Sequence, residues 1–83
     1  MSRVGPDSVG HRMTLTRAHD LLSRELPGRD AAPEVWLAYY RRSAAVYAEV
    51  AETDRGHHHE AMYWSSRERR RADEIAQRLT RAR

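Results

Sequence analysis

The sequence predicts an all-α protein: a long antiparallel helical hairpin with a shorter N-terminal helix packed across it, three helices in all. Three observations carry that expectation. Apolar residues recur at spacings of three and four over three separate stretches, which places them on one face of each helix. Proline and glycine punctuate the gaps between the stretches. All six aromatic residues lie between Trp36 and Trp64, in the segment that ends with the elbow Asp54-Arg55-Gly56-His57-His58-His59-Glu60-Ala61-Met62-Tyr63-Trp64.

Residues 1–12 hold Gly5, Pro6 and Gly10 and only two isolated valines, so they read as a disordered N-terminal arm. A single helical domain then occupies 13–83. Met13, followed by Thr14-Leu15-Thr16, is a second candidate start of translation. The first helix is expected over about 14–26, capped by Thr14 or Thr16, with Leu15, Ala18, Leu22 and Leu26 on one face. Pro27-Gly28 ends it, because proline cannot continue the ladder and glycine tolerates positive φ.

The second helix is expected over about 33–53. Pro33 suits the first turn, Asp30 is a capping candidate, and Glu34 meets the positive end of the helix dipole. Two apolar stripes run along it: Leu37, Tyr40, Ala44, Tyr47 and Ala51, and Val35, Tyr39, Val46 and Val50. A helix apolar on two adjacent faces has two neighbours. The third helix is expected over about 57–81, with a stripe of Ala61, Trp64, Glu68, Ala72, Ile75 and Leu79, in which Glu68 is the misfit.

A reversal at Arg55-Gly56 makes residue i of the second helix face roughly residue 111 minus i of the third. Tyr47 then meets Trp64, Tyr40 meets Ala72, Leu37 meets Ile75, and Ala44 leaves room for Glu68, with Arg41 and Arg42 within a turn of that carboxylate. Tyr40, Tyr47 and Trp64 become core. The first helix is expected to cover the remaining groove, setting Leu15, Leu22 and Leu26 against Val35, Tyr39, Val46 or the Met62 side.

A chain of 83 residues buries only about 60% of its unfolded surface, so its core is marginal. Such domains need a staple, and without cysteine no disulfide or thiolate metal site supplies one. Unusually good helix packing, self-association, a partner or a histidine-and-carboxylate metal site remain. The formal charge is +3, from 15 basic and 12 acidic residues; every basic residue is arginine, which a GC-rich genome explains more simply than selection for phosphate contacts. No apolar run approaches the ~18 residues of a membrane span. Nor does the N-terminus carry the apolar core of a secretory signal. A cytoplasmic protein without membrane contact is expected.

His57-His58-His59-Glu60 invites a metal, since imidazole and carboxylate suit zinc, iron or nickel. Yet consecutive helical residues point about 100° apart, so neighbouring histidines do not converge on one ion. The preferred reading is capping and hydrogen bonding in the first turn, with no metal and no cofactor. The alternative ligand set is His57, Glu60, Glu52 and Glu49. Residues 67–83 carry seven arginines against three acids, and Arg67, Arg71 and Arg78 share one face. Pairs Arg69–Asp73, Arg70–Glu74 and Glu74–Arg78 are expected to neutralise much of that run. Ser43, Ser65 and Ser66 have no evident base and orienter, so no catalytic residue and no small-molecule substrate is expected. Trp36 and Tyr63 fall off the main stripe; they are expected either as a partner-binding hot spot or, for Trp36, as packing under the first helix.

The segments Met13-Thr14-Leu15-Thr16-Arg17-Ala18-His19, Asp30-Ala31-Ala32-Pro33 and Asp54 through Trp64 resemble small uncharacterised helical proteins of actinobacteria, over roughly residues 13–80. That resemblance implies no activity. From the residues themselves the expected function is a non-catalytic helical interaction or adaptor protein that binds a protein partner or forms a homo-oligomer, with Trp36, Tyr63, Arg67, Arg71 and Arg78 in the contact. The alternatives are a small DNA- or RNA-associated regulator using the arginines of the third helix and, more weakly, a His/Glu metal-binding helical protein.

Overall fold

The computed structural model describes residues 13–82, and within them the order is helix α1, Leu15–Arg24, helix α2, Pro33–Thr53, a single 3-10 turn, Arg55–His57, and helix α3, His58–Arg81. No strand occurs among the described residues. The expected N-terminal arm, 1–12, lies outside them.

α1 starts where Thr14 turns its side chain back on the helix, accepting the Arg17 amide at 3.2 Å. It stops at Arg24, two residues short of the expected end. The residue before a proline is sterically pushed out of the helical region, so Leu26, preceding Pro27, leaves the helix and stands 57% exposed. Leu26 is therefore no part of the core. Leu15, Ala18 and Leu22 are buried, as their spacing requires.

α2 begins with Pro33 at its first position. Its N-cap is Ala32, without a side-chain cap bond, so Asp30 does not act as one. At the far end the chain reverses through Asp54 and the 3-10 turn. No described residue, glycine or other, has positive φ, so neither Gly28 nor Gly56 is there for a left-handed backbone.

The hairpin register is the expected one. Tyr47 and Trp64 stack at 5.9 Å with a 27° interplanar angle. One step along the same register, Ser43 rather than Ala44 receives Glu68: its hydroxyl donates to Glu68 Oε1 at 2.8 Å. The Ala44 carbonyl instead accepts from Ser65 Oγ at 2.9 Å. Tyr40 is half-buried, where core burial was expected; it lies beside Arg71 and Glu74 at the surface.

α1 runs antiparallel to α2 along its elbow-ward half. Thr53 Oγ1 donates to the Met13 carbonyl at 2.7 Å, and Tyr39 Oη donates to the Leu22 carbonyl at 3.0 Å. At the C-terminal end of α1, Arg42 forms a two-pronged contact with Glu25, Nε to Oε1 at 2.6 Å and a terminal nitrogen to Oε2 at 3.0 Å. Arg42 is thus committed to α1 and not to Glu68. The core sits where all three helices meet: Leu15, Ala18, Leu22, Val46, Tyr47, Val50, Ala51 and Ala61. Beyond the end of α1 the second stripe of α2 is bare, and Val35 is 49% exposed.

Two substitutions in α1 and its exit separate these environments. Leu22→Ala opens a cavity in the core and should cost about 2–5 kcal/mol. Leu26→Ala should stay within about 0.5 kcal/mol. Urea unfolding followed by circular dichroism measures both; equal losses would place Leu26 back in the core.

Candidate interaction surface and the elbow

The elbow histidines hold the chain reversal together. His58 Nδ1 lies 2.8 Å from the Ala51 carbonyl. A carbonyl only accepts, so this ring carries its proton on Nδ1 and satisfies one of the last carbonyls of α2. His57 Nδ1 lies 3.0 Å from Asp54 Oδ2. The same Asp54 oxygen accepts the Leu15 amide at 3.0 Å, so the elbow caps the N-terminus of α1 across 39 residues. His59 is exposed and meets only the edge of His58, at 5.3 Å.

His57, Glu60, Glu52 and Glu49 are not brought together as ligands. His57 turns its Nδ1 to Asp54, and Glu52 lies 4.0 Å from Arg55. Among the described residues no group of three or more histidine, aspartate or glutamate side chains converges to hold an ion.

The seam of the hairpin holds a buried carboxylate. Glu68 is 5% exposed, and its two oxygens are divided between Ser43 Oγ and an Arg67 terminal nitrogen at 2.6 Å. The Arg67 guanidinium also lies over the Trp64 ring, 5.4 Å from its centroid. Arg67 is therefore engaged within the fold, while its side chain also lines a surface hollow beside Tyr63. Tyr47, buried beside this carboxylate, has its hydroxyl pushed up to about 12, by burial first and the Glu68 charge second. Tyr39 is raised for the same two reasons. The Tyr47 hydroxyl stays protonated at neutral pH and shares a 2.7 Å hydrogen bond with His19 Nδ1. His19 also meets the Trp64 ring edge-on at 5.3 Å. Ser43 and Ser65 spend their hydroxyls inside the seam, on Glu68 and the Ala44 carbonyl.

The opposite end of the hairpin is open. A groove of about 440 Å³ lies between the 25–32 linker and the ends of α2 and α3. Ala31, Pro33, Trp36, Ile75, Leu79 and Ala82 form its apolar lining, with Arg29 and Arg78 as its charged members. Trp36 is half-buried here, beside the rings of Tyr39 and Tyr40 at 6.0 and 5.7 Å. The linker residues Arg29 and Ala31 line the same groove. A second hollow shares Trp36, Ile75 and Arg78 and continues to Tyr40, Arg71 and Glu74. Tyr63, 61% exposed, borders a third with Arg67, Arg70, Arg71 and Glu74. Of the expected contact residues, Trp36, Arg71 and Arg78 thus share one continuous surface, and Tyr63 stands at its far edge. Arg29, Ile75 and Leu79 join them. Ile75 and Leu79 lie on a stripe visible in the sequence, whereas nothing local marked Arg29, which reaches the surface only through the path of the linker.

The expected neutralising pairs Arg69–Asp73, Arg70–Glu74 and Glu74–Arg78 do not form. Among the described residues the ion pairs are Arg24–Asp20, Arg42–Glu25, Arg55–Glu52, His57–Asp54 and Arg67–Glu68. Arg29, Arg69, Arg70, Arg71 and Arg78 have no carboxylate within 4.0 Å among them. No described helix is long and apolar enough to cross a membrane. Set against family models, curated proteins and solved structures, the chain matches none.

Two predictions follow from the anchors of α1 and the seam. Leu15 N–H and His57 hold the Asp54 carboxyl below its usual range, and Arg42 does the same to Glu25. A depressed carboxyl stabilises the fold above its ordinary value, near pH 4, and loses that contribution as pH falls through the lowered value. α1 should therefore undock on acidification below about pH 4, read as collapsing dispersion of the Leu15 and Leu22 methyl resonances. Asp54→Asn should show weakened docking already at neutral pH. In the seam, Ser43→Ala strands a buried carboxylate oxygen and should cost about 1–3 kcal/mol. Adding Glu68→Met to Ser43→Ala should recover much of that loss, because the charge is no longer buried; a double variant less stable than Ser43→Ala would refute this account of the seam.

Proposed function

We propose that this protein is a non-catalytic helical interaction protein, acting in the cytoplasm, that docks a protein partner or a second copy of itself on the open end of its hairpin. The observation that supports the reading best is the groove floored by Trp36, Ile75 and Leu79. Apolar walls with a half-buried tryptophan and nearby arginines have the composition of an interface hot spot. In the elbow-ward half α1 covers the core around Val46, Tyr47 and Val50, leaving Met62 and Tyr63 exposed there, whereas the apolar groove lies at the other end.

Affinity purification from the source organism tests the reading, with the wild-type chain set beside Leu79→Asp. A partner retained by the wild type and lost by the variant is the expected result. Light scattering on an eluting size-exclusion peak tests the self-pairing form in the same way. A monomer with identical co-purifying proteins in both samples would end the reading.

A second reading, a DNA- or RNA-associated regulator, is favoured by one observation: Arg69, Arg70, Arg71 and Arg78 lack carboxylate partners among the described residues, and Tyr63 is exposed beside Arg70 and Arg71. Phosphate contacts release counterions, so affinity for a mixed-sequence oligonucleotide should fall steeply as salt rises. No binding at roughly 50 mM salt, where such contacts are strongest, disposes of this reading.

A further inference from the structure

We propose that the open-end groove takes an acidic amphipathic segment of a partner protein, in which a large apolar side chain lies within one helical turn of an aspartate or glutamate. This rests on the interaction reading above and specifies the partner's chemistry. The groove pairs two unlike demands. Its floor is apolar, Trp36, Ile75 and Leu79, and gains only from apolar atoms that leave water. Among the described residues its charged lining is Arg29 from the linker and Arg78 from α3, and the nearest acidic residue, Glu74, lines the adjoining hollow. Neither arginine has a carboxylate within 4.0 Å among the described residues. A guanidinium left without an anion while its surroundings are desolvated is costly. Both arginines are exposed at the groove, so an occupant that covers the floor and brings negative charge beside them is favoured on both counts, and a carboxylate matches the planar two-pronged geometry of arginine.

The same reasoning disfavours the two other occupants. A twofold-symmetric pairing of this chain through the groove would place Arg29 and Arg78 of both copies in one desolvated patch, since such an interface joins a surface to itself. The chain is itself net positive, which adds repulsion. A nucleic acid backbone would answer the arginines but brings only sugar and phosphate to the apolar floor; the arginines outside the groove, Arg69 and Arg70, suit it better. The groove volume of about 440 Å³ lies within the range of sites that enclose a few side chains rather than a flat contact.

The test is selection of a random twelve-residue peptide library on the full-length folded protein, followed by titration of the synthetic consensus peptide. The expected consensus places aspartate or glutamate within four residues of leucine, isoleucine, phenylalanine or tryptophan. Its binding should shift the indole N–H resonance of Trp36 and leave that of Trp64 in place. Arg29→Glu with Arg78→Glu should weaken binding by roughly tenfold or more, the loss of a charge-assisted contact. Leu79→Asp should abolish it with the circular dichroism spectrum unchanged; should that variant unfold, Leu79→Ala, with a partial loss of affinity, serves in its place. A neutral or basic consensus, or affinity indifferent to the arginine reversals, overturns the acidic occupant while a Leu79-dependent partner in the purification above would keep the interaction reading. A selection without binders overturns the proposal. So does a single-stranded oligonucleotide that displaces the peptide and shifts Trp36, and that outcome also removes the protein-partner reading.

Discussion

The register of the hairpin depends on one buried carboxylate. Two apolar stripes can slide past one another by a helical turn at modest cost, since one alkyl contact replaces another. Glu68 does not permit that. It is held between Ser43 across the seam and Arg67 on its own helix, and a slip of one turn would take Ser43 away and leave the oxygen facing α2 without its donor. A buried acceptor left unsatisfied costs about 1–3 kcal/mol, so the polar contact selects among alignments that the apolar contacts leave nearly equal. Stacking of Tyr47 on Trp64 follows from that alignment, as does the placement of Ser65 on the Ala44 carbonyl.

α1 is attached by a different principle. Its apolar face is small, three buried residues on a ten-residue helix, and an isolated helix of that length is not stable in water. What fixes it is polar anchoring at both ends. Asp54 and Thr53 take hold of residues 13–15, and Arg42 takes hold of Glu25. The elbow thus does two tasks with the same residues. It reverses the chain between α2 and α3, and it supplies the cap for a helix far away in sequence. The histidine run becomes intelligible in this setting: His57 braces the capping aspartate, and His58 closes the end of α2.

Much of this fold was legible in the residues, and the parts that were not share a cause. Pro33 and the elbow bounded α2 correctly, and the spacing of Tyr47 and Trp64 about Gly56 carried the register, because local chemistry decides both. Leu26 was misplaced because its periodicity suggested a helix that Pro27 forbids, a conflict between pattern and sterics that sterics wins. Glu68 was placed against Ala44 rather than Ser43, one residue away, because a periodic stripe does not fix helix rotation to that accuracy. The paired arginines of α3 were expected from spacing alone; exposed i,i+4 pairs are worth only a few tenths of a kcal/mol, too little to impose a geometry. The partners of Glu25 and Asp54 on α2 and α1 were out of reach, since they depend on where a third helix lies and no local signal states that. In the candidate surface, Trp36 was singled out as lying off the core stripe, and Arg71 and Arg78 as sharing one face of α3. Arg67, expected on the same face, reaches back to Glu68 and also lines the hollow beside Tyr63.

The shortness of α1 gives the molecule an uneven resistance to opening. Near the elbow three helices share a core, and the Val50, Ala51 and Asp54 carbonyls have donors within the turn. Toward the termini of α2 and α3 only two helices face each other, with Val35 and Tyr40 in part exposed. Proteins open locally with free energies that track such differences in packing, so this chain should breathe at the Trp36 end while its elbow stays closed. Amide protection would then fall along α2 from Val50 toward Pro33, and a ligand seated at the loose end would act as a clamp, its affinity reduced by the ordering it imposes and its effect read as slowed exchange in the last turns of α3.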